Sequence, residues 1–475
     1  MKHVAPGFLV ALALGLTLLW PGDATWLSDE PRLIAEAWHA NHDHELARGG
    51  LWGNFGIRYG PLPTWIYQVL LLFTHDPVTL LALRALLCAG ATAAGLLWLG
   101  RELRLPAWFV AAILAGPFVV QFHRVLWDAS FAVPLGALTL AAFAHFLRTA
   151  SGRTLALTIA GTFLLPTIHP QSLPLALPLL GWLAWKQRPA LHRHWKPLGA
   201  LVLVLLATHA RWMAEAVFGF AHNIAGTVSH GYPDGSSRLI CMLAPLLGGN
   251  FIGGLGSVAQ VPSGALRAMS LGLAIVYPLA WFGSFVAARR CRGDSPRAIV
   301  GAVALAGLAV QAVLFGLMRI PSGPQYFFGT FALHAFLVWL AVDALGRRGA
   351  ICGAVFGVSA ALVTIGMALT IHQRGYDPAL DWPTLKSQVA VARALNSFTD
   401  ATAGTDVAVI QRHPQMLRTL RLLLPPDQPQ RESGRIFITR ARADAAEIEL
   451  HESSAPKGTL IDITPLPKGW QPAGW

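Results

Sequence analysis

The sequence predicts an all-α polytopic membrane protein with a small C-terminal α/β domain. Three observations predict this class. Of 475 residues, 54% are apolar and only 13% charged, about half the charged share of a soluble domain, and mean hydropathy is +0.50. Apolar runs of helical length recur through residues 1–375, separated by basic clusters. From Tyr376 onward the composition changes, with charges mixed among short alternating runs. Disorder is excluded by an aromatic share of 10% that includes 17 Trp.

The elements follow in chain order. Residues 6–21, after Lys2, read as an uncleaved first transmembrane helix rather than a signal peptide, because many more apolar segments follow. A long first outer loop, 21–77, holds seven of the 13 acids that precede the tail: Asp23, Asp29, Glu30, Glu36, Asp43, Glu45 and Asp76. It also holds His39, His42, His44 and His75. Within it, GPLPTWIYQVLLLFT (60–74) is apolar but short. That suits a juxtamembrane helix with Trp65 and Tyr67 at headgroup depth. Further crossings are expected at 78–99, 106–122, 130–147, 154–168, 172–185, 197–217, 266–289, 298–318, 326–344 and 350–371, for a total of about eleven.

Basic clusters fix the expected orientation. Arg101/Arg104, Arg148/Arg153, Lys186 to Lys196, Arg289 to Arg297, and Arg347/Arg348 each fall between consecutive pairs of crossings. Cytoplasmic loops collect Lys and Arg, so the N-terminus is expected in the cytoplasm and the tail in the periplasm of a bacterial inner membrane. A second outer loop, 218–265, is rich in Gly and carries Arg238. Two domains are therefore expected, 1–375 in the membrane and 376–475 in the periplasm. The tail offers one helical stretch and four strand-like ones (DVAVIQ, RIFITR, EIELHE, TLIDITP) and no catalytic motif.

Charge and cysteine usage exclude other classes. The net +12 belongs to the membrane part and reports topology, so nucleic-acid binding is not expected. Four cysteines without a CxxC pair give neither a disulfide framework nor a zinc ribbon.

The acids of the first loop are the candidates for chemistry. Asp29-Glu30 follows the first helix in WLSDEPRLIAEAW. Ser28 suits an N-cap and Pro31 a first turn, so a well-capped interfacial helix accounts for the pair as readily as a general base does. His39, His42 and Asp43 share a helical face and suit a divalent metal, though a solvated polar face of an interfacial helix is the preferred reading. Arg211 and Glu215 are four apart and can pair.

The order of motifs adds a further reading. SDEP is followed by RYGPLPTWIYQ, then Arg84 on a helix ending in GREL, then HRVLWDASFAVPL, TIHPQSLPLALPLL, PQYFFGTFALHAFL and the tail. Taken together, this resembles the C-type membrane glycosyltransferases (GT-C), the superfamily of protein O-mannosyltransferases and of aminoarabinose and lipopolysaccharide-core sugar transferases. The resemblance implies transfer of a sugar from a polyprenyl-phosphate donor to a lipid, glycan or protein acceptor on the periplasmic face. It assigns the general base to Asp29, with Glu30 beside it. The family's frequent Lys-Pro-Pro-Leu stands here as Arg58-Tyr59-Gly60-Pro61-Leu62, so Arg58 takes the lysine's place. Some relatives use a divalent ion and others do not.

The chemistry fits such a site. Sugar transfer passes through an oxocarbenium-like state, and one carboxylate on the acceptor side suffices for single-step inversion. The phosphate leaving group needs positive charge rather than an acid. Candidates to bind it are Arg58, Arg84, Arg124, Arg211, Arg238 and Arg319, with snorkelling to headgroups the competing role for each. Trp127, Asp128, His169, Gln171 and Tyr326, at the later outer turns, are candidates for the donor and acceptor pocket. His123 would lie nearby, and Trp127 and Tyr326 suit interfacial anchoring as well. Membrane lipids are the remaining expected partners. Two other functions fit the composition: a secondary transporter, though no internal repeat is apparent, and a glycan polymerase or ligase with a lipid-linked oligosaccharide donor.

Overall fold

The structure is a computed structural model. It describes residues 4–26, 29–53, 58–230, 237–243, 261, 264–290, 295–320, 324–377, 382–386 and 389, with four short strands beyond; parts of 217–230 and 276–290 are described by backbone alone. The described residues form an all-α membrane protein. Its helices are α1 (Val4–Thr17), α2 (Asp29–His42), α3 (Leu62–Leu71), α4 (Pro77–Leu103), α5 (Trp108–Leu114), α6 (Pro117–Arg124), α7 (Ala132–Thr149) and α8 (Gly152–Ile168). They continue with α9 (Leu173–Lys186), α10 (Arg188–Arg193), α11 (Trp195–His230), α12 (Gly264–Arg290), α13 (Pro296–Met318), α14 (Phe331–Ala344) and α15 (Gly346–Arg374).

Every expected crossing falls on helix, but the count of eleven spans is not reproduced. Among the described residues five helical stretches are long and apolar enough to cross a bilayer: 77–103, 129–149, 195–216, 296–318 and 346–374. The others are shorter. The expected crossing 106–122 is two helices of 7 and 8 residues, broken where Gly116 turns extended ahead of Pro117. Neither reaches the ~20 residues that a hydrocarbon core demands. The segment 60–74 behaves as anticipated, giving a helix of 10 residues, about 15 Å long.

Two sequence expectations are corrected. Tyr67 does not reach headgroups; it is buried and meets Phe131 edge-on, ring centroids 5.6 Å apart. Trp65 is partly exposed, its indole donating to the Ala47 carbonyl at 2.9 Å. The second loop also begins later than residue 218, because α11 continues as helix to His230; most of that loop lies outside the described residues.

Small residues set the central packing. α4 lies against α7, and α7 against α8. A Cβ at Gly95 would stand 2.8 Å from the Ala137 backbone, so the α4–α7 crossing depends on glycine there. Phe118 and Phe122 of α6 stack with Phe328 and Phe331, which fastens the broken helix to α14.

One buried cation organises the turn after α6. Arg84, inside α4 and fully buried, donates to the carbonyls of Phe122 (3.0 Å) and His123 and to the Ser130 hydroxyl. The last carbonyls of a helix have no partner within it; Arg84 supplies one and so fixes the Val125–Phe131 turn.

α15 ends at Gly375, with φ +67°. A two-residue hairpin, β1 (Tyr376–Asp377) with β2 (Trp382–Pro383), then returns the chain to the bundle. Leu385 N–H donates to the Ala24 carbonyl at 2.8 Å. Beyond this, the described strands β3 (Val409–Ile410), β4 (Ile436–Ala441), β5 (Ile448–Glu452) and β6 (Ile461–Asp462) adjoin in that order, the first pair parallel and the others antiparallel. They fall in the four stretches that read as strands. The expected tail helix lies outside the described residues.

Candidate active site

The site is built at the end of the bundle that carries the first long loop. That loop is tied down by polar side chains of α3. Gln68 accepts from Ala47 N–H at 3.0 Å and donates to Asn41 Oδ1 at 3.0 Å and the Glu45 carbonyl at 2.9 Å. Thr64 donates to the Gly49 carbonyl at 3.1 Å. The chain then forms a tight ladder: Gly50 N–H donates to the Tyr59 carbonyl and Tyr59 N–H to the Leu51 carbonyl, both at 2.8 Å. Gly50 has to be glycine, because a Cβ there would stand 2.9 Å from the Gly60 carbonyl oxygen.

Arg58 lies on this ladder. Its Nε donates to the Gly50 carbonyl at 2.9 Å, and its terminal nitrogen forms an ion pair with Glu36 of α2. The Trp212 indole of α11 donates to the Arg58 carbonyl at 2.6 Å. Burial lowers the Arg58 pKa, and the Glu215 carboxylate opposes that. Arg211 and Glu215 therefore do not pair with each other; Glu215 acts on Arg58, and Arg211 is exposed.

One carboxylate, Asp128, stands at the ladder, and Asp29 lies within reach of its charge. Asp29 and Glu30 open α2. Asp29 is partly exposed, while Glu30 is 2% exposed. Ser28, the expected cap, lies outside the described residues. Asp128 comes from the turn that Arg84 holds. It is buried, its Oδ1 accepts from Ala129 N–H at 2.6 Å, and its Oδ2 has no partner and lies 3.6 Å from where a Cβ on Gly50 would be. Burial pushes the Asp128 carboxyl up to about 7, the Ala129 N–H opposes this, and the charge of Asp29 adds to it. Asp128 thus feels the charge of Asp29 and stands at the ladder that holds Arg58.

His169 closes one side. It caps α8, and its ring lies 4.8 Å from that of Tyr59. Its Nδ1 accepts from Gln171 N–H at 3.4 Å, which leaves the proton on Nε2. Burial pushes this imidazole down to about 4, so it stays neutral. The Gln171 side-chain oxygen is buried without a partner.

The remaining candidates stand elsewhere. Arg84 is occupied by carbonyls inside the bundle. Arg124 donates to the Trp20 carbonyl and faces Asp23. Arg319 ends α13 with φ +50°, beside Cys241; Arg238 is exposed. His123 is buried against Thr92, 3.1 Å away. Trp127 meets Phe328 edge-on, and Tyr326 is buried with its carbonyl accepting from Gln311 at 3.3 Å. His39, His42 and Asp43 are exposed, and His42 stacks on Trp38. Among the described residues no group of three or more His, Cys, Asp or Glu is placed to hold a metal ion. The trio expected to bind one is therefore not assembled.

Sequence reasoning missed Gly50 and Trp212, and named Glu36 only among the acids of the first loop. The Gly49-Gly50 pair was a visible turn signal; the partnership of Glu36 with Arg58, 22 residues apart, left no local trace.

No family model matches this chain, and no curated protein matches it. Among solved structures, it is similar to ArnT from Cupriavidus metallidurans bound to undecaprenyl phosphate, with a TM-score of 0.57 at 13% identity over 91% of this chain and 92% of that one. It is also similar to ArnT from the same organism in the apo state, with a TM-score of 0.52 at 14% identity over 92% and 86%. The likeness extends over nearly the whole of both chains and shows a shared fold.

Proposed function

From a fold shared with a C-type membrane glycosyltransferase, we propose that this chain is a multi-pass membrane glycosyltransferase whose donor is a polyprenyl-phosphate-linked sugar. The carrying observation is that Asp128 stands at the ladder that holds Arg58 and feels the charge of Asp29 from a separate turn. The undecaprenyl phosphate bound by a protein of the same fold supports the donor class.

In this reading the acceptor hydroxyl or amine gives its proton to the Asp29 carboxylate. Its lone pair forms the new bond at the anomeric carbon, and the bond from that carbon to the phosphate oxygen breaks. The electron pair leaves with the polyprenyl phosphate, whose charge Arg58 meets. Asp128, protonated below about pH 7, and neutral His169 supply hydrogen-bonding groups to the sugar. Arg84 acts by holding the Asp128 turn. The acceptor is a lipid, glycan or protein, reached from the periplasmic side.

The test uses the full chain in membranes, with radiolabelled sugar on undecaprenyl phosphate as donor and a cell-envelope extract as acceptor. Asp29→Asn is expected to insert and fold normally while transfer falls by ~10²-fold or more. Unchanged transfer would remove Asp29 from the role of base. Solute flux in proteoliposomes with no glycosylated product would point instead to a transporter.

A further inference from the structure

The opposite end of the bundle carries a surface that this chemistry does not use. Between Asp128 and Glu215 the sequence contains no acidic residue, while Arg148, Arg153, Lys186, Arg188, Arg193 and Lys196 all fall in its turns. α7 and α9 run away from the candidate site and α8 returns to it. The α7–α8 turn and the α9–α10–α11 connection therefore share the far end, about 25 Å away along α8. The two turns adjoin: a Cβ on Gly152 would meet the His194 ring at 2.8 Å.

Two tryptophans bracket this surface. Trp185 is 69% exposed and Trp195 61%. The Lys186 ammonium lies 4.1 Å from the Trp185 ring centroid, and the Lys196 ammonium 5.8 Å from that of Trp195. Between them α10 (Arg188–Arg193) has no buried residue. The acid packed nearest in the contacts of this end, Glu102 of α4, is already held by His145 at 2.9 Å and by Arg148. Above the tryptophans the helices present exposed Leu180 of α9 and Leu203 and Val204 of α11, the face expected to meet acyl chains.

Apolar helix sides, then tryptophan, then uncompensated cations form a depth order that matches one leaflet of a bilayer: chains, interface, headgroups. We propose that the Trp185–Lys196 connection, with Arg153 of the neighbouring turn, is a binding surface for anionic phospholipid headgroups. The phosphates sit among the Lys and Arg side chains, and the two indoles lie at the level of the glycerol backbone. A soluble anion would use the cations but not the rings or the apolar flanks. Each basic side chain near a charged leaflet strengthens attraction about fivefold.

The experiment uses the full chain reconstituted in phosphatidylcholine vesicles containing a trace of headgroup-photoactivatable phosphatidylglycerol, with adducts mapped by peptide mass spectrometry. Adducts are expected to concentrate on 148–153 and 185–196. They should fall at least about fivefold in a Lys186→Gln/Arg188→Gln/Arg193→Gln/Lys196→Gln variant. They should also fall in ~0.5 M salt and be competed by unlabelled phosphatidylglycerol but not by phosphatidylcholine or inorganic phosphate. All four positions are exposed, and elution of the variant as the same monodisperse particle checks its fold. A second variant, Trp185→Ala/Trp195→Ala, should lose adducts with its charge intact. Adducts spread evenly around the bundle, equal labelling in the charge variant, or competition by inorganic phosphate would each overturn the proposal.

Discussion

At the scale of single residues, the pocket chemistry is governed by burial. Asp128 holds its proton up to about pH 7 because it is buried and near Asp29. Below that pH Asp128 is neutral; above it, Asp128 carries a negative charge. An anionic donor is bound less well beside an ionised Asp128, so the KM for the donor should rise as pH increases through 7. In Asp128→Asn that inflection should vanish from the KM profile. A profile identical in the two proteins would show that Asp128 is not the titrating group. Arg84 makes a second prediction. Its removal leaves the Phe122 and His123 carbonyls and the Ser130 hydroxyl without their donor, each a cost of about 1–3 kcal/mol. Arg84→Ala should therefore lose ~3 kcal/mol or more and lower the thermal midpoint in detergent, with activity falling in step with the folded fraction.

Elements act here as holders of loops. α2, α3 and α11 all contribute to the position of one arginine: Glu36 pairs with its guanidinium, Thr64 holds Gly49, and Trp212 holds its carbonyl. Glu36→Gln should raise the donor KM and leave kcat nearly unchanged, because a positioning group for a phosphate-binding cation affects binding of the ground state. Gly50→Ala works differently. The added methyl would push the ladder away from Gly60, and a shift of ~1 Å at a reacting site costs up to ~10²-fold in rate. The steady-state parameters of the two variants separate these outcomes.

For the whole molecule, the start of the first loop, the end of α6 and the end of α15 meet. Asp23 accepts from His372 at 2.7 Å, Trp20 stacks on the His372 ring at 4.3 Å, and Arg124 donates to the Trp20 carbonyl. The β1–β2 hairpin leaves from this junction and the chain after it pairs with Ala24. Substituting His372→Ala should loosen the connection to the tail and speed limited proteolysis near residue 380, while the bundle stays folded. Cleavage at the wild-type rate would show that the hairpin alone holds the tail.

The sequence by itself determined the class, the helix positions and the shortness of the helix within 60–74. Each of these is written in local hydropathy and charge, which a chain of this composition cannot hide. It also brought Asp29, Asp128 and Arg58 forward as separate candidates. Only the tertiary structure decided which of them meet. The choice of Arg58 over Arg84 depends on what surrounds each guanidinium: carbonyls of its own bundle for Arg84, a loop edge and Glu36 for Arg58. Glu36 lies 22 residues from Arg58, and Phe122 and His123 lie 38 and 39 from Arg84, beyond any helical or strand period, so no local pattern encodes them. The break between α5 and α6 was different: Gly116-Pro117 is a local breaker in the sequence, passed over by a reading on hydropathy alone, and aromatic packing against Phe328 and α14 holds the segment after it.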